Sequence, residues 1–259
     1  MTLRYDSAPA RREFILEAVR SAGFVSVSDL ARELRVSDMT VRRDLRKLAA
    51  DGEVEIVHGG VRLAAVERTT GFTRRVATNP TAKRHIGQRA ADLVNPGDAI
   101  AVDAGTTAYE LAAALPRGFG GCIVTHSIPV SQLMLHRPGV RTVGLGGDLY
   151  PASQAFVGPM TVEGARNLRV RTFFMGAAAV DARGVYVATD IERPTKQALM
   201  DIADEVVLLV DGTKFSTSAP VLLCSFDSVH ALVTDMAPPE DVVEALDKAG
   251  TVLHMSNDR

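Results

Sequence analysis

Side chains able to do chemistry gather in two parts of this 259-residue sequence. In the first, Ser37, Asp38, Met39, Thr40 and Arg42 stand at the start of a stretch with helical spacing, and Arg43, Arg46 and Lys47 follow. Short polar side chains and guanidinium groups at one end of a helix suit base edges and phosphates in a DNA groove. In the second part, small and polar residues sit where short apolar runs end. These are Asp103-Ala104-Gly105-Thr106-Thr107, Thr125-His126-Ser127, Gly144-Leu145-Gly146-Gly147-Asp148, Phe174-Met175-Gly176-Ala177 and Asp211-Gly212-Thr213-Lys214. Backbone N–H groups at a helix start, with the hydroxyls of Thr106 and Thr107, make an anion cradle. Asp103 can accept from sugar hydroxyls, and Lys214 can reach a phosphate. Asp190, Glu192 and Lys196 surround another helix start and can bind hydroxyls and phosphate.

Each pattern also has a plainer reading. The basic helix suits an oligomerisation module with a solvated cationic face. The strand ends suit capped turns, the lysine a solvated surface, and the acid–lysine group a salt-bridged cap. Neither the GxxxxGK[ST] phosphate loop nor a GxGxxG dinucleotide loop occurs. Cys122, Cys224 and the scattered histidines lack metal-ligand spacing, so neither a metal nor a cofactor is expected.

The elements that position these groups are legible in the hydrophobic spacing. Ile15, Leu16, Val19 and Ala22 mark a helix that Gly23 can end. Ser28 is expected to cap a second helix holding Leu30, Ala31 and Leu34. Ser37 is expected to cap a third, from about Asp38 to Ala50, with Val41, Leu45 and Leu48 on its apolar stripe. Two short extended runs, Glu53–Val57 and Val61–Leu63, flank Gly59-Gly60, so three helices are followed by a wing. That order favours DNA, with His58 and the glycines bringing the wing near the phosphate backbone.

Residues 64–82 read as a connector, with a boundary near Val76. From Lys83 onward helices alternate with short apolar strands, which predicts a mostly parallel α/β sheet. In open sheets of that kind, ligands collect beyond the carboxyl ends of the strands. Because the polar clusters occupy strand ends, they share one face and predict a pocket for a small, polyhydroxylated, anionic ligand.

Composition supports this division. Residues 1–75 hold 14 Lys/Arg and 11 Asp/Glu, whereas the remaining 184 hold 15 and 20. A hydrophobic fraction of 46% excludes a disordered chain. Apolar runs fall short of the ~18 residues of a membrane span, and the start MTLRYDSAPARRE lacks a secretory signal's apolar stretch. A cytoplasmic protein is therefore expected.

Residues 11–63 resemble the N-terminal domain of the DeoR family of bacterial transcriptional regulators, on the stretches VSVSDLARELRVSDMTVRRDLRKLAADG and VHGG. Residues 83–235 resemble that family's C-terminal sensor domain, which is related in fold to ribose-5-phosphate isomerase. The matching stretches are VDAGTT, LGGDLY, FVG, FFMGA and DGTKF. The resemblance implies a winged helix-turn-helix over 1–63, a linker over 64–82 and an effector-binding, oligomerising α/β domain over 83–259.

It also implies a homodimer or homotetramer that binds double-stranded operator DNA and represses a carbohydrate catabolic operon until a phosphorylated sugar relieves it. Gly105, Thr106, Thr107, Lys196 and Lys214 would then face phosphate. Asp103, His126, Asp148 and Glu192 would face the sugar, with Gly176 at the same strand-end face. Two residues depart from the family pattern. Glu55 stands where a basic residue is common, and His126 where an asparagine is. An alternative is a sugar-phosphate isomerase with a DNA-binding appendage, using Asp103, Glu192 and Lys196 as acid and base. A third is an architectural DNA-binding protein whose body takes no ligand.

Overall fold

The computed structural model describes residues 7–50, 53–57, 59–63 and 71–256. The chain divides into two compact units, Met1–Arg68 and Thr69–Arg259.

In the first unit, α1 (Ala8–Ala22) is capped by Ser7, which accepts from the N–H of Ala10 at 3.3 Å. It ends at Gly23, whose φ of 75° only glycine adopts freely. β1 (Phe24–Ser26) leads into α2 (Val27–Leu34). The cap of α2 is Ser26, not Ser28: Ser26 Oγ accepts from Asp29 N–H at 3.0 Å, so the helix begins one residue before Ser28. α3 (Asp38–Ala50) starts where expected, with Ser37 Oγ accepting from Thr40 N–H at 3.3 Å. β2 (Val54–Val57) and β3 (Gly60–Leu63) form the wing, and β1 extends it to a three-stranded antiparallel sheet ordered β1-β3-β2. Ile15, Val19, Leu30, Val41, Leu45 and Val61 close a single core between helices and sheet.

Asp44 is not a solvated acid on a basic helix. It is buried on α3 and accepts from Arg11 Nε of α1 at 2.9 Å, with both side chains under one-tenth exposed. Glu55 is paired as well. It sits opposite Arg62 across the wing, and two bonds of 3.0 Å join the guanidinium to the carboxylate.

The second unit begins earlier than residue 83. α4 (Phe72–Ala77) and α5 (Pro80–Ala91) occupy the segment read as linker, and Val76 lies inside a helix. Phe72 is buried edge-on against Tyr109, with ring centroids 6.2 Å apart. The short span of α4 hid it, since one and a half turns give too few residues for a periodic signal.

Seven parallel strands follow: β4 (Ala99–Val102), β5 (Cys122–Thr125), β6 (Arg141–Gly144), β9 (Val170–Gly176), β12 (Ala203–Leu209), β14 (Ala231–Thr234) and β15 (Val252–Met255). Their order is β15-β14-β12-β9-β4-β5-β6. Alternate residues feed two cores. Phe173, Met175, Val206 and Leu208 pack on one face with Leu199 and Leu246. Phe174, Val207 and Leu209 pack on the other with Ile86, Ala108 and Leu111. Burial on both faces explains why the strands read as continuous apolar runs. The helices are α6 (Thr106–Ala114), α7 (Ile128–Met134), α8 (Pro159–Arg166), α9 (Arg193–Asp201) and α10 (Glu240–Ala249). Two small antiparallel additions were not anticipated: the hairpin β7 (Asp148–Tyr150) with β8 (Ala155–Val157), and the sheet of β10 (Ala179–Asp181), β11 (Gly184–Val187) and β13 (Val221–Cys224).

Removing Asp44 takes from Arg11 its buried carboxylate partner. Asp44→Ala is therefore expected to destabilise the first unit by about 3–5 kcal/mol. Hydrogen exchange checks this: amides of α1 and α3 lose protection while those of the seven-stranded sheet keep theirs.

Candidate functional site

The strand order reverses between β4 and β9, since β5 and β6 extend the sheet one way and β12, β14 and β15 the other. A crevice opens at such a switch point, beyond the strands' carboxyl ends. Asp103 follows β4 there, only 1% exposed. Its Oδ2 accepts from the N–H of Gly176, the last residue of β9, at 2.9 Å, and from Lys196 Nζ of α9. Lys196 also donates to Gly176 O at 2.9 Å. His126, just after β5, sets Nε2 3.3 Å from Asp103 Oδ1 and Nδ1 2.9 Å from Phe156 O of β8. Burial alone would push the Asp103 carboxyl up. Lys196 and His126 outweigh it and hold the group well below the usual carboxylate range.

Four predicted residues, Asp103, His126, Gly176 and Lys196, thus form one hydrogen-bonded cluster. Gly105 joins them through backbone packing: a Cβ on Gly105 or Gly176 would meet Asp103 Oδ2 at 3.4 Å. Thr106 and Thr107 open α6 beside it, both buried. Glu192 connects more remotely, accepting from Ser153 Oγ in the β7–β8 turn. Gly147 places that hairpin with a φ of 150°, and a Cβ there would lie 2.1 Å from Thr161 Oγ1. Through Phe156 O, His126 also contacts the β7–β8 hairpin.

Lys214 lies in the turn after β12. Burial pushes the Asp211 carboxyl up, but the Thr213 hydroxyl, Lys214 and Asn79 bring it below its ordinary value. Asp148 stands apart, exposed on β7 with its carboxylate over the Gly158 backbone.

Residues outside the prediction also approach the crevice. Lys83 is buried on α5 and donates to the carbonyl of Thr78 at 2.7 Å and to that of Arg75. Asn79 Nδ2 donates to Asp211 Oδ1 at 3.3 Å. Arg75 Nη2 reaches Ser153 Oγ at 3.5 Å. Lys83 had a visible signal, because it shares the stripe of Ile86, Gly87 and Ala90 at i, i+3, i+4 and i+7, a position that predicts burial. Arg75 had none. A separate cavity of about 600 Å³ lies at the opposite strand ends, bordered by Arg171, Glu205, His230 and His254, among others, and by none of the predicted residues.

On α3 of the first unit, Met39, Arg42, Arg43 and Arg46 follow i, i+3, i+4, i+7 spacing and are all exposed. Ser37, Asp38 and Lys47 are exposed too, and Thr40 is half-buried. The opposite stripe, Val41, Asp44, Leu45 and Leu48, is buried. His58 lies outside the described residues.

Residues 11–66 match the family model of the DeoR-like helix-turn-helix domain, and residues 78–236 that of the DeoR C terminal sensor domain. The chain belongs to the DeoR family. This DeoR protein is a DNA-binding transcriptional regulator rather than an enzyme, both matched domains being regulatory. Among the described residues no cluster of metal-ligating side chains occurs, and no helix is long and apolar enough to cross a membrane.

Among its relatives, the "Glycerol-3-phosphate regulon repressor" of Escherichia coli is 30% identical over 91% of this chain and 94% of its own. The "Lactose phosphotransferase system repressor" of Lactococcus lactis is 30% identical over 94% and 97%. The "L-fucose operon activator" of Haemophilus influenzae is 29% identical over 90% and 94%. Among solved structures, ribose 5-phosphate isomerase A from Neisseria gonorrhoeae aligns with 51% of this chain and 52% of its own, at 15% identity and a TM-score of 0.38.

Asp103 and Lys196 form a buried ion pair at this switch point. Their coupling has a pH signature. A carboxylate depressed in the folded state contributes stability that is complete above its unfolded pKa, ~3.9, and is lost as pH falls towards the folded value. Asp103→Asn is expected to cost about 3–5 kcal/mol at neutral pH by stranding Lys196. Urea unfolding as a function of pH should show the gap from wild type narrowing on the acid side.

Proposed function

We propose that this DeoR regulator represses a carbohydrate catabolic operon and leaves its operator when a phosphorylated sugar enters the crevice beyond β4 and β9. The observation that carries this reading is the clustering of Asp103, His126, Gly176 and Lys196 beside the α6 start at the switch point of the parallel sheet. Gly105, Thr106, Thr107, Lys196 and Lys214 are assigned to the phosphate. Asp103, His126, Asp148 and Glu192 are assigned to the hydroxyls. A carboxylate already charged and hydrogen-bonded is preorganised to accept from sugar hydroxyls, and the helix start with nearby lysines favours a dianion. Relatives named as a glycerol 3-phosphate regulon repressor and a lactose phosphotransferase system repressor support a phosphorylated effector. The relative named as an activator makes the sign of control a quantity to measure.

DNA contact is assigned to Ser37, Asp38, Met39, Thr40, Arg42, Arg43, Arg46 and Lys47, and to His58 in the wing. The Glu55–Arg62 pair leaves the wing edge close to neutral. A homodimer or homotetramer in the cytoplasm matches two-fold operator symmetry. The effector acts only by binding one state of the sensor more tightly than the other.

Fluorescence anisotropy on the DNA upstream of the gene, at fixed salt, tests the reading directly. Operator release by one sugar phosphate is expected. Tight binding that ignores glycerol 3-phosphate, ribose 5-phosphate, fructose 6-phosphate and galactose 6-phosphate would overturn it. Arg42→Ala and Arg43→Ala should each cost about 1–3 kcal/mol of operator affinity, while calorimetry shows sugar phosphate uptake intact. Thr106→Val and Lys214→Ala should instead raise the sugar phosphate concentration needed for release by about tenfold or more.

A further inference from the structure

We infer that the outer edge of β15 pairs antiparallel with the same strand of a second copy of this chain, centred on His254, and so continues one seven-stranded sheet into the other. The inference rests on the homo-oligomer proposed above and gives it an interface.

β15 is a terminal strand of the sheet, and among the described residues it pairs with β14 alone. Successive residues of a strand direct their N–H and C=O groups to alternate sides. The N–H groups of Val252 and Ser256 donate to His230 O at 2.9 Å and to Thr234 O at 2.8 Å, so the even-numbered residues face β14. The N–H of Thr251 is taken by Leu246 O of α10 at 3.0 Å. Leu253 and Met255 are left with their N–H and C=O groups directed away from the sheet. Outward backbone groups of this kind are a template for another strand.

Self-pairing closes that template. About a two-fold axis at His254, Leu253 of one copy lies opposite Met255 of the other, and the two exchange a pair of hydrogen bonds. The axis repeats the pair, so the outward groups of both residues are satisfied in both copies. Leu253, 37% exposed, and Met255 share a face of β15 and meet across the junction as apolar pairs. Val252, 54% exposed, gains cover on the other face.

The chemistry of the strand suits an identical partner. Residues 251–256, TVLHMS, carry neither a charged side chain of Asp, Glu, Lys or Arg nor a proline. The opposite terminal strand, β6, opens with the exposed Arg141. Charges and prolines are what blunt an edge, and a charge on the axis would stand against its own copy. The titratable group on the axis is His254. Burial and Arg89 both hold its ring below its ordinary value, so the two rings that meet there are neutral.

Sedimentation of the full-length protein over a range of concentrations reads assembly, and wild type is expected to self-associate. Met255→Pro removes an N–H directed away from β14 and fits the extended backbone of an edge strand. It is expected to raise the dissociation constant of this contact by about tenfold or more, because two symmetry-related hydrogen bonds are lost. Cooperative thermal unfolding verifies that the variant is folded; should it not be, engineered cysteines decide the matter. In the paired strands the Cα atoms of the two residues 254 stand about 4.5 Å apart, within the span of a disulfide, whereas the two residues 253 are offset along the strands. His254→Cys is therefore expected to form a covalent dimer under mild oxidation, mapped to residue 254 by mass spectrometry, and Leu253→Cys is not. Self-association that Met255→Pro leaves unchanged, or a self-associating His254→Cys that forms no such link, overturns the interface and leaves the homo-oligomer reading standing. A wild type that sediments as a monomer at every concentration overturns both.

Discussion

Asp103 is withdrawn from water at the end of β4, and a carboxylate in that position needs donors and cations within hydrogen-bond reach. It obtains them from three different parts of the chain: the backbone of Gly176 at the end of β9, the ammonium of Lys196 on α9 and the ring of His126 after β5. Satisfying this one group sets how closely β4 and β9 meet, where α9 begins and how the β7–β8 hairpin folds over the crevice through Phe156. The site is polar at its floor and lies beside the start of α6.

The DNA-binding unit solves a related problem with the opposite outcome. Arg11 and Asp44 place an ion pair inside a small core, and it links α1 to the inner stripe of α3. Because Asp44 is turned inward, the outer stripe of the same helix carries Arg42, Arg43 and Arg46 with little acid beside it. Glu55 is met by Arg62 across the wing, so this acid is balanced within the domain. Charge of both signs is abundant in this unit, and pairing decides which of it faces outward.

Much of this was legible in the sequence. Gly23, Ser37 and the apolar spacing of Ile15, Val19, Val41 and Leu45 dictate the helices, because capping and burial on one stripe are local requirements. The parallel sheet follows from short apolar runs between helices, and the strand-end location of the VDAGTT, FFMGA and DGTKF stretches brings them to one edge without further information. The family is carried by such stretches. Errors were local where alternatives were near-degenerate, as with Ser26 and Ser28, either of which has the hydroxyl to cap α2.

Tertiary structure alone decided which polar groups meet. Nothing in sequence spacing pairs Arg11 with Asp44, or Lys196 with Asp103, 93 residues apart. It likewise cannot show that Arg75, on a helix too short to leave a periodic trace, meets Ser153 of the β7–β8 turn. Local patterns report the faces an element must bury. The identity of the partner across a face is determined by loop closure and strand order over the whole chain, and charge pairing in a dry interior exists only once those distant elements have been brought together.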